Sequence, residues 1–160
     1  MKRPFHLITV LYFGLVYAVA VFAFQPGTGA VAVWDVENLM PEVPANSDMV
    51  ELLSIQVIEA LKESDHTVVE RERLALALQE LKLGSSVLVD EATRLRIGRI
   101  VGAKYMVFGA FMVFGGTMRL DLRLVETETG AILKAVEKTT ESMDPLDWMR
   151  EAREAAQRLF

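Results

Sequence analysis

Two different hydrophobic periods divide this chain of 160 residues. In the first half, apolar runs at 30–35 and 67–69 alternate with stretches in which apolar residues recur every three or four positions. Short apolar, β-branched runs predict strands, whereas the longer period predicts amphipathic helices. We therefore expect strands at both runs and helices over 47–61, 70–84 and 90–102, the last one capped by aspartate and the last two ended by glycine.

The second half changes to a period of two. Residues 105–114 form a strand-like run, the pair Gly115-Gly116 is typical of a two-residue hairpin, and residues 131–140 form a last run after a turn at 126–130. Between the two turns apolar and charged residues alternate: Met118, Leu120, Leu122 and Leu124 with Arg119, Asp121 and Arg123. This pattern predicts an antiparallel meander with one buried and one solvent-exposed face.

A last helix is predicted after the meander, because Asp144 and Pro145 are a favourable N-cap and first helical residue. Its apolar stripe is expected to contain Leu146, Met149, Ala152, Ala156 and Leu159. In the third helix, the residues expected to face inward are Ala92, Leu95, Ile100 and Val101, and those expected to face solvent are Arg94, Arg96 and Arg99. The fold class is thus α/β: one mixed sheet flanked by helices in the order β-α-β-α-α-β-β-β-α, with an antiparallel carboxyl-terminal meander.

The amino terminus has the pattern of an export signal. Lys2 and Arg3 precede an apolar stretch, and small residues suit cleavage after Ala23. We expect a signal peptide at 1–23, a linker at 24–29 and a periplasmic domain at 30–160. An uncleaved anchor is the alternative, because roughly 17 to 25 residues suffice to span a membrane. Membrane contact is expected only if the signal is retained.

Charge and cysteine content narrow the function classes. The net charge is −5, and removing Lys2 and Arg3 makes it −5 − 2 = −7. Such an acidic domain is a poor candidate for binding nucleic acid, whose phosphates attract clustered basic residues. The chain contains no cysteine, so neither disulfides nor acylation at a cysteine are expected.

Reactive side chains are scarce. His66 is the one histidine that follows the predicted signal peptide. The sequence therefore indicates neither a serine or cysteine nucleophile with a histidine base nor a zinc site. We predict no catalytic, cofactor-binding or metal-binding residues. Asp35 and Glu37 follow the first strand, where α/β sheets tend to bind ligands. A small-ligand sensor or enzyme that uses a pocket near these two carboxylates is therefore the alternative function.

Four segments carry a resemblance to a known family: VAVWDVENL at 31–39, VVER at 68–71, GAKYMVFG at 102–109 and LDLRLVETETGAIL at 120–133. In this order they resemble the core of the CsgG-type family of curli production assembly and transport proteins, which is similar to the amino-terminal domain of TolB and to the penicillin-binding-protein activator LpoB. The resemblance implies a periplasmic domain, with outer-membrane association left open, that acts in protein assembly and carries no catalytic residues.

Two departures from the channel-forming members limit what the resemblance implies. Gly109 leads to Leu120 through only a two-residue turn, whereas a spanning hairpin needs about twenty additional residues. The cysteine of lipidated members is also missing. We therefore expect a non-enzymatic assembly, secretion-accessory or regulatory domain that binds an envelope protein, with homo-oligomers as a further option, and Arg119, Asp121 and Arg123 as the partner-binding face.

Overall fold

The computed structural model describes residues 29–40, 47–81 and 89–160. The predicted signal peptide, the linker except for its last residue, and the glycine expected to end the second helix lie outside the described residues. The predicted mixed sheet flanked by helices is confirmed, and the elements follow the predicted order apart from two short β segments. The elements are β1 (Val31–Val33), β2 (Glu37–Asn38), α1 (Ser47–Glu63), α2 (Arg71–Glu80), α3 (Glu91–Ile100), β3 (Tyr105–Phe114), β4 (Thr117–Glu126), β5 (Ile132–Thr140) and α4 (Pro145–Gln157).

Two elements differ in extent from the prediction. The strand expected at 67–69 is reduced to one parallel bridge between Val68 and Val31. A two-residue strand, β2, lies before α1 and pairs with β3, with Glu37 opposite Ala110. Neither feature is long enough to produce a hydrophobic period.

The strands form one mixed sheet in the order β1-β3-β4-β5, with β2 also beside β3. β1 and β2 run parallel to β3, and the other pairs are antiparallel. Gly115 and Gly116 have φ angles of 60° and 80°, as a two-residue hairpin turn requires. This turn pairs Phe114 with Thr117 and so fixes the β3–β4 register.

Local capping agrees with the sequence. Asp90 accepts a hydrogen bond from the Thr93 backbone N–H at 2.9 Å, and this bond lowers the pKa of the Asp90 carboxyl. Asp144 accepts one from the Leu146 N–H at 2.9 Å, with Pro145 in the first turn of α4. These side chains satisfy N–H groups that a helix leaves unpaired at its start.

Helices cover the two sides of the sheet unequally. α1 and α4 cover the side that we call the inner face, where the alternating β4 residues from Met118 to Leu124 are fully buried with Phe111. α2 and α3 cover part of the opposite, outer face, where Met106 and Phe108 are buried. The side chains of β3 are thus divided between the two faces, with Phe111 on the inner side and Met106 and Phe108 on the outer side.

The predicted helix faces need correction at their ends. Leu146 is 66% exposed, Ile100 is 50% exposed and Ala92 is exposed. Trp148, Ala155 and Ile97, which were not predicted, are buried in their place. Apolar residues at the first and last turns of a helix lie beyond the sheet, so the helical period alone overestimates the buried stripe.

The outer helices are too short for the strands beneath them. α2 and α3 contain 10 residues each, which at 1.5 Å per residue is about 15 Å. β3 also contains 10 residues, but at 3.3 Å per residue it extends about 33 Å. Beyond Phe108, no helix of the described residues therefore covers the outer face of the sheet, and Phe114 at its end is 75% exposed.

The edge strand β5 is fastened to α4 by ion pairs. Lys138 contacts Glu151 at 2.8 Å and Glu154 at 2.6 Å, and its side chain is only 13% exposed. Hydrogen bonds to these carboxylates raise the pKa of Lys138. Lys138 itself lowers the pKa of Glu154. The pairs hold β5 in place although its other edge carries no strand among the described residues.

A buried hydroxyl joins α1 to the chain between β1 and β2. Ser54 Oγ accepts a hydrogen bond from the Val36 N–H at 2.9 Å and donates one to the Val50 carbonyl at 2.6 Å. Both Ser54 and Val36 are buried. The hydroxyl therefore satisfies a backbone donor that water does not reach.

Replacing Ser54 by alanine is expected to lower the free energy of unfolding by about 1–3 kcal/mol, because the Val36 N–H stays buried without an acceptor. Ser64 is the matched control: it is exposed, also donates to the carbonyl four residues earlier, and accepts no backbone N–H. Ser64→Ala should change stability by less than about 0.5 kcal/mol. Urea unfolding measures both, and equal effects would contradict the assigned role of Ser54.

Candidate functional site

The uncovered part of the outer face is the main surface that the helices leave free. We call it the open face. Strand alternation and register assign to it the following residues: Glu37 of β2; Ala110, Met112 and Phe114 of β3; Arg119, Asp121 and Arg123 of β4; and Ala135, Glu137 and Thr139 of β5. The three residues predicted to bind a partner thus lie on one surface, as their alternation predicted.

Charged residues on the open face are ordered in rows across the strands. One row contains three carboxylates, those of Glu37, Asp121 and Glu137, with Ala110 between the first two. Arg123 lies in the row on one side of it, and Arg119 lies in the row on the other side. A carboxylate row is thus bordered by an arginine on each side.

Arg119 and Asp121 form the most tightly connected pair of this surface. The Arg119 Nε and Nη2 atoms donate to the two Asp121 oxygens at 2.9 and 2.8 Å. Nη2 also contacts Glu137 at 2.8 Å across the β4–β5 pair. The hydrogen bond to Asp121, with the charges of both acids, raises the pKa of Arg119 above its ordinary value. The bidentate geometry fixes the guanidinium in one orientation.

Arg123 lies apart from that pair. Its guanidinium carbon is 5.8 Å from the centre of the Phe108 ring, and its Nη2 contacts Glu91 at 3.3 Å. The three predicted residues therefore do not form one cluster: Arg119 and Asp121 belong together with Glu137, and Arg123 belongs to the boundary with α3.

Arg94 is the residue that the sequence reading misplaced. It was expected in solvent, but its side chain is only 14% exposed. Its Nε donates to the Val89 carbonyl at 2.6 Å, and its guanidinium pairs with Glu37. The guanidinium carbon lies 5.5 Å from the centre of the Trp34 ring. A stacked, paired arginine satisfies its charge without bulk water, and the helical period gives no sign of this.

The predicted partner-binding face and the alternative site near Asp35 and Glu37 meet at a depression of about 70 Å³. It is lined by Trp34, Asp35, Glu37, Arg94, Phe108, Gly109, Ala110, Asp121 and Arg123. Pockets for drug-sized ligands measure roughly 300–1,000 Å³, so the depression has the size of a single side chain.

The carboxylates of the alternative site are each paired with arginine. Asp35 contacts Arg71 at 2.7 Å, and Glu37 pairs with Arg94. A second cleft of about 180 Å³ lies between β1 and α2 beside the Asp35–Arg71 pair. Its remaining lining is largely apolar, from Val33, Trp34, Leu74, Ala75 and Leu78.

Other chemistry is sparse in the part of the chain that the structure describes. No group of three or more histidine, cysteine or acidic side chains there is placed to hold a metal ion. His66 is half-buried and stacks on Phe160, with ring centroids 4.0 Å apart. None of the helices over residues 47–63, 71–80, 91–100 and 145–157 is long and apolar enough to cross a membrane.

A family model matches residues 15–119, more than half of the chain: curli production assembly/transport component CsgG. A comparison with curated protein sequences found no significant match.

Several solved structures share the fold. The LpoB C-terminal domain from Salmonella enterica has a TM-score of 0.60 at 20% identity, with 74% of this chain and 86% of that chain covered. A lipoprotein from Neisseria meningitidis has a TM-score of 0.58 at 15% identity, covering 71% and 80%. The PelC dodecamer from Paraburkholderia phytofirmans has a TM-score of 0.55 at 12% identity, covering 82% and 88%. At these identities the likeness establishes the fold.

Replacing Arg94 by alanine is expected to lower the free energy of unfolding by about 1–3 kcal/mol, because Glu37 and the Val89 carbonyl both lose their partner in a half-buried position. Arg96 is the matched control, since it is exposed on the same helix without a hydrogen bond or ion pair to the described residues. Arg96→Ala should change stability by less than about 0.5 kcal/mol. Urea midpoints at equal slope measure the difference, and indistinguishable variants would refute the anchored position of Arg94.

Proposed function

Because the chain belongs to the CsgG family of curli production assembly/transport components, we propose that it is a non-enzymatic domain of the bacterial cell envelope that acts by binding another protein. The role is that of an assembly, secretion-accessory or regulatory module. It is exported and works in the periplasm, where it can associate with the outer membrane. The export pattern of the amino-terminal sequence supports this location.

The open face carries the proposal. It contains an aromatic side chain that is 75% exposed, Phe114, and a half-buried methionine, Met112. Two arginines and one aspartate are held in fixed orientations beside them: Arg119, Arg123 and Asp121. Aromatic residues, methionine and arginine are the residue types enriched at protein interfaces. Arg119, Asp121 and Arg123 are proposed as partner-binding residues on this surface, because Arg119 and Asp121 are preorganised by each other and Arg123 by Phe108 and Glu91.

The proteins of similar structure support a protein as the partner. LpoB, a lipoprotein and a PelC dodecamer use the same fold. The dodecameric state of PelC supports a homo-oligomer as one form of partner for this chain as well. An envelope protein is the other form, and a net charge of −5 disfavours nucleic acid.

A second candidate function uses the cleft of about 180 Å³ beside Asp35 and Arg71. Its apolar lining and the Asp35–Arg71 ion pair among the lining residues suit a small ligand with a polar end, as a periplasmic sensor or enzyme would bind. Thermal-shift screening distinguishes it: a metabolite that stabilises the protein, but not an Asp35→Asn variant, would favour this candidate over protein binding.

Reversing the charge of Arg119 and Arg123 together, as Arg119→Glu and Arg123→Glu, is expected to reduce capture of an envelope partner by about tenfold or more, because two oriented donors become repulsive. Immobilised protein is incubated with an envelope extract, and the recovered partner is quantified. Arg150→Glu is the matched control, because Arg150 is also exposed but lies on α4, paired with Asp147.

Unfolding curves of the variants establish that each remains folded. Capture that is unchanged by the double reversal, or reduced equally by Arg150→Glu, would remove the open face as the partner-binding surface.

A further inference from the structure

The described residues fill only part of the layer that lies on the outer side of the sheet. α2 and α3 occupy that layer over the beginning of β3, and nothing among the described residues occupies it over Ala110 to Phe114. Sheets pack face to face at about 10 Å, close to the height at which a helix packs on a sheet. A second sheet laid on the open face would therefore lie beside α2 and α3 at the same level.

The side chains of the open face are complementary to themselves. Along β3 the outward residues run Phe108, Ala110, Met112 and Phe114, and along β4 they run in register Arg123, Asp121, Arg119 and Thr117. In this order, the side chains of β3 are large, small, large and large, and those of β4 are positive, negative, positive and neutral.

A half-turn about an axis that crosses the strands between the Ala110 row and the Met112 row superimposes unlike rows. Met112 of one copy then lies over Ala110 of the other, at the depression of about 70 Å³. Arg119 lies over Asp121, and Phe114 lies over the Arg123 guanidinium, which itself lies over the buried Phe108 ring. Met112 thus faces a small residue, Phe114 faces a cation, and each Arg119 faces a carboxylate. A half-turn about β4 itself would instead place Arg119 over Arg119 and Asp121 over Asp121.

We propose that the open face binds the open face of a second copy of this chain in a two-fold, face-to-face pair. The inference rests on the proposed function, because both take the open face to be a protein-binding surface. It adds that the partner is a second copy of the chain. Charge complementarity carries it: Arg119 exchanges part of its intramolecular pairing with Asp121 for the same carboxylate of the partner.

The contact is small. Three strands about 4.8 Å apart and four rows about 7 Å apart give an area of roughly 400 Å² per copy, below the roughly 800 Å² of a standard interface. The pair is therefore weak, with a dissociation constant on the order of 10⁻⁵ to 10⁻⁴ M. An envelope protein that binds the same surface more tightly would displace the second copy.

The protein is expressed from the full sequence and purified in the form that the cell produces. Sedimentation velocity then measures the fractions of monomer and dimer at concentrations from roughly 10 µM to 1 mM. The wild type is expected to shift from monomer to dimer across this range. Phe114→Ser should weaken dimerisation about tenfold or more. Leu146→Ser is the matched control, because Leu146 is similarly exposed but belongs to α4, on the inner side, and it should leave the dimer unchanged.

A charge exchange tests the register. Arg119→Asp alone places acid over acid, and Asp121→Arg alone places arginine over arginine, so each variant is expected to be monomeric. An equimolar mixture restores both pairs of opposite charge, and a mixed dimer should form at wild-type concentrations. Circular dichroism verifies that both variants are folded, and Phe114→Ser supplies an independent result if either is not.

A wild type that stays monomeric to 1 mM, a dimer insensitive to Phe114→Ser, or a mixture without a mixed dimer would each overturn the pairing. These failures are distinguishable from failure of the proposed function. A monomer that still captures an envelope partner through Arg119 and Arg123 refutes the pair alone, whereas a dimer without such capture supports the pair and refutes the role in binding another protein.

Discussion

The structure depends on a mismatch of lengths between helices and strands. A sheet in an α/β domain is stabilised when helices bury both of its faces. The inner face meets this condition, because α1 and α4 contain 17 and 13 residues, whereas α2 and α3 contain only 10 each. Among the described residues, no helix covers the other half of the outer face, and the side chains of that half are the ones that the described part of the chain leaves uncovered.

This geometry explains the chemistry of the open face. An exposed sheet surface tolerates charged residues when neighbours on the same or the adjacent strand neutralise them, as Asp121 on β4 and Glu137 on β5 do for Arg119. Where the surface meets α3, Trp34 and Phe108 hold the guanidinium groups of Arg94 and Arg123. The carboxylates of Asp35 and Glu37 near the first strand are likewise paired with Arg71 and Arg94, so the charged groups of this region are held in ion pairs. Membership of a family of assembly and transport components agrees with such a surface.

Most of the sheet could be predicted from the sequence because its signals are local. The glycine pair 115–116 fixes a two-residue hairpin, and that turn alone places Asp121 opposite Ala110. The position of Glu37 could not be predicted, since β2 has two residues and its pairing is set by tertiary contact with β3. Arg94 was misplaced because a helical period records charge and not the aromatic ring that shields it. Exposure of Phe114 was equally hidden, because alternation assigns a face but not whether a helix reaches it.

The central claim is that the open face, and not the helical side, contacts other proteins. Site-specific photo-crosslinking in living cells tests this directly, with the photoreactive residue placed at Met112 or Thr139 on the open face and at Ile55 or Glu59 on α1. The account predicts protein adducts from the two open-face positions and none from the two α1 positions, which are exposed but belong to the covered side of the sheet. Adducts that form from α1 while the open face stays unreactive would contradict it.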